Sequence, residues 1–176
     1  MTTLSDRVRT TIRDVPDFPK PGIVFKDITP LLQNADALRQ AIAEMVVIAK
    51  QYDITHIAGI ESRGFIFGTA LAVELGSGFL PIRKPGKLPW KTFAEAYELE
   101  YGSDKLEIHV DAAAAGERIL LIDDLIATGG TAGAAVKLIR HTGAEVVACC
   151  VLIELEFLNG FEKMHGVPLH SLIKIS

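Results

Sequence analysis

Residues 119–131 read Ile-Leu-Leu-Ile-Asp-Asp-Leu-Ile-Ala-Thr-Gly-Gly-Thr, and this segment leaves a chain few ways to fold. Four consecutive aliphatics suit a strand covered on both faces, the habit of parallel sheets. Two carboxylates, Asp123 and Asp124, end that apolar run. They have no packing value there, but they can accept hydrogen bonds from a vicinal diol such as ribose. Ala127, Thr128, Gly129, Gly130 and Thr131 follow, just ahead of a helix-like stretch. Glycine lets backbone N–H groups turn toward an anion, and a helix start adds its dipole. The Thr128 and Thr131 hydroxyls add donors. A phosphate in this loop with a diol beside it would be one ribose 5-phosphate. A plain turn with two solvated aspartates would account for a lone Gly-Gly pair, but not for the whole combination. The other phosphate motifs are missing: no Gly-x-x-x-x-Gly-Lys-Ser/Thr and no Gly-x-Gly-x-x-Gly after a strand.

The rest of the chain supplies the scaffold this segment demands. Residues 4–14 predict a short amphipathic helix with Leu4, Val8, Thr11 and Ile12 on one face. Pro16–Gly22 is too proline-rich for a helix or a central strand. Residues 23–28 read as extended, and 36–52 as a helix with Ala41, Ile42, Met45, Val46 and Ala49 inward. Strand and helix then alternate: strands at 55–60, 78–83, 118–122, 146–153 and 169–175, helices at 65–75 and 131–141. That rhythm predicts an α/β fold, a mostly parallel twisted sheet flanked by helices. In such sheets ligands bind at the carboxyl ends of the strands. Between Pro85 and Gly116 the rhythm breaks. Residues 97–101 and 106–110 alternate apolar and polar around Gly102-Ser-Asp104, a hairpin pattern at the ligand end that suits a lid.

Composition narrows the partners. The chain has 176 residues, and its net charge of −4 lacks the basic surplus of a general nucleic-acid binder. No apolar run is long enough to span a membrane, and the first residues lack a signal-peptide core. The two cysteines, Cys149 and Cys150, are adjacent and cannot staple distant segments, which predicts a reducing, cytoplasmic setting. No Cys/His cluster offers a zinc site, and no dedicated protein metal site is expected.

Residues 119–131 resemble the phosphoribosyl pyrophosphate signature of the type I phosphoribosyltransferases. The resemblance extends over nearly the whole chain. Phe18–Asp27, Glu61-Ser-Arg-Gly-Phe65, Arg83-Lys-Pro-Gly-Lys-Leu-Pro89 and Leu99-Glu-Tyr-Gly102 match motifs of the family's adenine-using branch, in order. It implies a single domain, with residues 1–35 as an N-terminal hood over the base and 85–116 as a flexible lid. Further, it implies that adenine and phosphoribosyl pyrophosphate give AMP and pyrophosphate, with Mg²⁺ held mainly by the substrate, in a homodimer. Asp123 and Asp124 would hold the diol. Glu61, Ser62 and Arg63 would form the pyrophosphate loop, with a cis peptide between Glu61 and Ser62. Arg83 and Lys87, in a basic cluster with Lys84, would compensate pyrophosphate charge. Glu100 on the lid would approach the reacting centre beside Tyr101. Val24 and Lys26 would meet adenine through backbone groups, with Phe25 and Leu155 sandwiching the ring. Two alternatives belong to other classes. One is a related enzyme for 6-oxopurines, which commonly presents a lysine after the sugar-phosphate loop; Val151–Leu155 contains none. The other is a non-catalytic phosphoribosyl pyrophosphate sensor, which would carry a basic face and an eroded lid.

Overall fold

The computed structural model describes residues 8–99 and 102–176. Contacts group the chain into two compact units, Met1–Glu44 and Met45–Ser176.

In the first unit, β1 (Arg13–Pro16) pairs antiparallel with β2 (Val24–Asp27). The connecting turn is held by Gly22 N–H, which donates to Asp17 Oδ1 at 2.7 Å, and contains a cis Phe18–Pro19 bond. Lys26 Nζ reaches Asp14 at 2.7 Å across the ribbon, and Phe18 meets Phe25 edge-on at 5.2 Å. The C-terminal end of the helix expected over residues 4–14 is thereby corrected. Residues 8 and 9 are helical, but 13–16 are strand; the first seven lie outside the described residues. Local amphipathicity lost here to a cross-strand partner, because ladder bonds and the Lys26–Asp14 pair are available only to an extended segment. A short α1 (Thr29–Gln33) begins with Pro30 in its first turn, where the missing N–H costs nothing. Asn34 Oδ1 then accepts from the Asp36 and Ala37 N–H groups at 3.1 Å, starting α2 (Ala35–Ala49). Ala37, Ala41, Met45 and Ala49 form the buried stripe of α2 at i, i+4 spacing; Ile42 and Val46 are only half-buried.

The second unit is built on five parallel strands: β3 (His56–Ile60), β4 (Gly78–Ile82), β7 (Arg118–Ile126), β8 (Glu145–Leu155) and β9 (Leu169–Ile175), in the order β4-β3-β7-β8-β9. Ile119 through Ile122 and Ala148 through Ile153 are fully buried, as strands covered on both faces must be. Between β3 and β4 runs α3 (Gly64–Leu75), closed by Gly76 at φ 65 with Ser77 N–H bonded to Ala72 O. Between β7 and β8 runs α4 (Gly130–His141), followed by Gly143 at φ 91. The two crossovers travel in opposite directions along the sheet. Both being right-handed, they place α3 and α4 on opposite faces. Cys149 and Cys150 are buried on β8, and burial pushes the Cys150 thiol up to about 12, so both are inert packing groups.

The hairpin comprises β5 (Thr92–Leu99) and β6 (Gly102–His109). Leu99 pairs with Gly102, so the strands reach further than residues 97–101 and 106–110 predicted. Gly102-Ser-Asp104 lies within β6 rather than at the turn, and Asp104 faces Tyr97. Tyr97, Leu106 and Ile108 are buried in the cluster under α4, and Arg83 bridges Glu107. These burials outweigh the local turn preference of Gly-Ser-Asp and set the register.

Candidate active site

Strand order reverses direction between β3 and β7: the chain leaves β3 toward β4 and leaves β7 toward β8. The loops after these two neighbouring strands therefore part, opening a crevice at their carboxyl ends. A cavity of about 480 Å³ occupies that place. Glu61, Ser62 and Arg63 line it from the β3 side; Asp123, Asp124, Ala127, Thr128, Gly129, Gly130 and Thr131 line it from β7 and the loop beyond.

The loop after β7 is shaped for an anion. Gly129 takes φ 75 at the helix N-cap, and no side chain caps α4. At this end Gly133 N–H donates to Gly129 O at 2.8 Å. The amides of Gly130, Thr131 and Ala132 thus have no helical acceptor, as at any helix start, and the positive end of the dipole faces the cavity. β7 runs on to Ile126, so Asp123 and Asp124 lie within the strand rather than at its end. The Asp124 N–H donates to Asp123 Oδ1 at 2.9 Å. Asp124 is 3% exposed. Arg63 Nε stands 2.8 Å from Asp124 Oδ2, yet the N–H is not aligned with that oxygen, which keeps no hydrogen bond among the described residues. Burial raises the pKa of both carboxyls; the neighbouring Asp124 charge adds to it for Asp123, while Arg63 pulls Asp124 back.

The loop after β3 turns through a cis Glu61–Ser62 peptide, as the resemblance implied. Its Glu61 is a hub. The carboxylate, 9% exposed, accepts from Arg83 Nε at 3.0 Å and the Lys84 N–H at 3.1 Å, and pairs with Lys87 Nζ. Burial alone would raise its pKa, but Lys87, Lys84 and Arg83 together bring it below the usual value. Arg83 and Lys87 are the residues that the resemblance gives as compensating pyrophosphate charge. Both are engaged with Glu61 and are not among the cavity-lining residues; Lys84 is. Lys84 Nζ donates to Tyr97 Oη at 2.7 Å and pairs with Asp104, so burial, which lowers its pKa, is outweighed and the net shift is upward. Tyr97 joins the lining, with Ile60, Leu125, Ile126, Ala132 and Val151. The signal for Lys84 was present: neighbouring side chains at a strand end leave on opposite sides, so with Arg83 Nε on Glu61 the Lys84 ammonium goes elsewhere, to Tyr97, while only its backbone N–H meets Glu61.

Val24, Phe25 and Lys26 lie on β2 in the first unit. Leu155 ends β8, half-buried and outside the lining set. Glu100 and Tyr101 lie outside the described residues.

A five-stranded parallel sheet with this cavity at its switch point is the layout of the type I phosphoribosyltransferases. Residues 26–167 match the family model of the phosphoribosyl transferase domain. An adenine phosphoribosyltransferase of Methylococcus capsulatus is 55% identical over 168 residues, covering 96% of this chain and 98% of its own. The crystal structure of the Rhodothermus marinus adenine phosphoribosyltransferase superposes with a TM-score of 0.94 at 49% identity, covering 99% of this chain and 100% of that one. The Saccharomyces cerevisiae enzyme, complexed with adenine and an imino-altritol bisphosphate, gives 0.94 at 37% identity, covering 98% and 100%. The chain belongs to the adenine phosphoribosyltransferase family.

Proposed function

We infer that the cavity between β3 and β7 transfers the 5-phosphoribosyl group of phosphoribosyl pyrophosphate to N9 of adenine, giving AMP and pyrophosphate in purine salvage. The observation that carries this is the opposition of two anion-facing walls across one pair of carboxylates. The uncapped α4 start with Ala127, Thr128, Gly129, Gly130 and Thr131 takes the 5-phosphate. Asp123 and Asp124 accept from the ribose diol, and their negative potential favours the cationic sugar that forms as the bond at C1 breaks. Ser62, Arg63 and Lys84 meet the departing pyrophosphate. Glu61 acts through others, holding Arg83, Lys87 and the Lys84 backbone in place. Val24, Phe25, Lys26 and Leu155 serve the base, and Glu100 and Tyr101 serve the reacting centre from the hairpin.

Mg²⁺ fits this donor set. No group of three or more His, Cys, Asp or Glu side chains gathers among the described residues. Two carboxylates beside a polyphosphate suit an ion that keeps its water and is held by substrate oxygens. When bound, it neutralises charge on the leaving group. The whole chain acts as one functional domain, residues 1–35 forming the hood and the hairpin end the lid. A second copy of the chain is its expected partner; Ile66 and Val73, exposed seven residues apart on α3, offer an apolar face for one. Among the described residues no helix is long and apolar enough to cross a membrane, and the two buried free thiols suit a cytoplasmic setting.

The test is direct. Protein, Mg²⁺ and phosphoribosyl pyrophosphate are mixed with adenine, hypoxanthine, guanine or xanthine in turn, and nucleotide is measured. AMP from adenine alone is the expected outcome. Product from a 6-oxopurine would move the specificity to the sister enzymes, and no product from any base would leave a sensor.

A further inference from the structure

Past Leu155 the chain makes two 3-10 turns, Glu156–Leu158 and Gly160–Met164, joined at Asn159 with φ 51. This segment is pressed backbone to backbone on the loop that leads into α4. A Cβ on Gly129 would overlap the Gly160 carbonyl oxygen and lie 2.8 Å from its carbon. A Cβ on Gly160 would overlap Ala127 O and lie 3.0 Å from Gly129 N. One turn on, a Cβ on Gly133 would lie 2.6 Å from Lys163 O. Carbon contacts have their optimum at about 3.5–4.0 Å, so none of the three positions admits a side chain without moving backbone. The segment itself is anchored: Met164 is 1% exposed in the core cluster, Val167 N–H bonds to Met164 O at 3.0 Å, and Arg140 of α4 reaches His165 O at 3.2 Å.

We propose that Gly160 is a positioning residue for the phosphate loop, its bare backbone serving as the stop against which Ala127 and Gly129 are set. The inference rests on the reading that residues 127–131 hold the 5-phosphate. Amides that bind a phosphate must converge on it within a few tenths of an ångström, and a loop containing Gly-Gly has little stiffness of its own. The stiffness comes from the braced segment behind it. Gly160 touches no substrate; it acts by fixing where the Thr128–Thr131 donors point.

The phosphate at C5 does not change charge during transfer at C1, so a displaced loop costs ground state and transition state alike. Such a loss appears in KM with kcat little changed. The test compares Gly160→Ala, Thr131→Ala, Gly166→Ala and the parent. Ribose 5-phosphate binding is measured by calorimetry, and KM and kcat with phosphoribosyl pyrophosphate by assay. Gly166 is in the same region with φ 81 and open space around it, so its variant carries backbone strain without pushing the loop. Gly160→Ala is expected to weaken ribose 5-phosphate by about tenfold, the loss of one charge-assisted bond, with KM rising in step and kcat held within about threefold. Gly166→Ala should bind as the parent does. Parent-like binding by Gly160→Ala, with Thr131→Ala weakened, would overturn the role of Gly160 alone. Equal weakening of the two glycine variants would also overturn it, as general loosening. Parent-like binding by Thr131→Ala as well would overturn the 5-phosphate reading. Should Gly160→Ala not fold, hydrogen exchange on the parent decides. Ribose 5-phosphate should slow exchange in residues 156–165 together with 127–133; protection confined to the loop would overturn the proposal.

Discussion

Asp123 and Asp124 show how much a residue type can disclose and where it stops. Two carboxylates after four aliphatics announced a polar ligand, because nothing in packing rewards them. What remained hidden was their state. Asp124 is almost fully buried beside Arg63, and burial raises the pKa of both carboxyls. A raised carboxyl pKa means the folded chain holds its proton more tightly than the unfolded one. That stabilisation is complete below the ordinary aspartate value of about 3.9 and is lost as pH rises through the folded value. Above the folded value the buried carboxyls therefore weigh against the fold, as functional sites often do. Asp123→Asn removes one of them. Its melting midpoint at neutral pH should rise by about 2–4 °C, the equivalent of about 1 kcal/mol for a chain of this size, and the gain should shrink as pH approaches 4. Turnover should fall at least about tenfold, since the charge opposite the developing cation is gone. Calorimetric scans across pH, run beside the adenine assay, check both; a variant that melts lower than the parent would contradict the burden assigned to Asp123. In the parent, activity should fall on acidification at a pH above the ordinary carboxylate range.

At the scale of elements, strands and helices of the second unit were legible, because long runs of period and Gly stops at 76 and 143 agree with their final places. The hairpin was legible as a hairpin but not in register. Gly102-Ser-Asp104 carries the composition of a turn, yet burial of Tyr97, Leu106 and Ile108 pulls both strands past it. Only contacts distant in sequence distinguish the two registers. The consequence is functional, because the true register sets Asp104 beside Tyr97 and both beside Lys84. Lys84 thus meets the cavity already paired, its pKa held up by the Asp104 carboxylate and the Tyr97 hydroxyl against burial, and Asp104 competes with any incoming anion for the same ammonium. Asp104→Asn should relieve that competition. Pair and partners are partly exposed, so the effect is small: KM for phosphoribosyl pyrophosphate is expected to fall about two- to fivefold, while limited proteolysis cuts the hairpin faster. A KM that rises would show that Asp104 orients Lys84 for the anion rather than withholding it.

At the scale of the whole molecule, alternation of strand and helix announced a parallel sheet, but not that β3 and β7 are neighbours. Strand order depends on the direction each crossover takes, and the 35 residues or so of hairpin and connection between β4 and β7 give no local sign of it. Once the order is β4-β3-β7-β8-β9, the switch point, the crevice and the meeting of Glu61–Arg63 with Asp123–Thr131 all follow. The same arrangement says what the fold owes to metal. No cluster of three or more ligating side chains gathers among the described residues, and the core cluster is made of hydrophobic residues. On the proposal that substrate oxygens hold Mg²⁺, the ion matters to the substrate and not to the scaffold. Adding EDTA to the free protein should leave its melting midpoint unchanged, whereas a structural ion would be lost with its folding energy. Phosphoribosyl pyrophosphate with Mg²⁺, at about a hundred times its dissociation constant, should stabilise the fold by about 2.7 kcal/mol through mass action, a rise of about 5–10 °C. With EDTA present that rise should shrink and AMP formation should stop. Thermal scans with four combinations of substrate and chelator separate the two roles, and a midpoint that drops with chelator alone would place the ion in the protein.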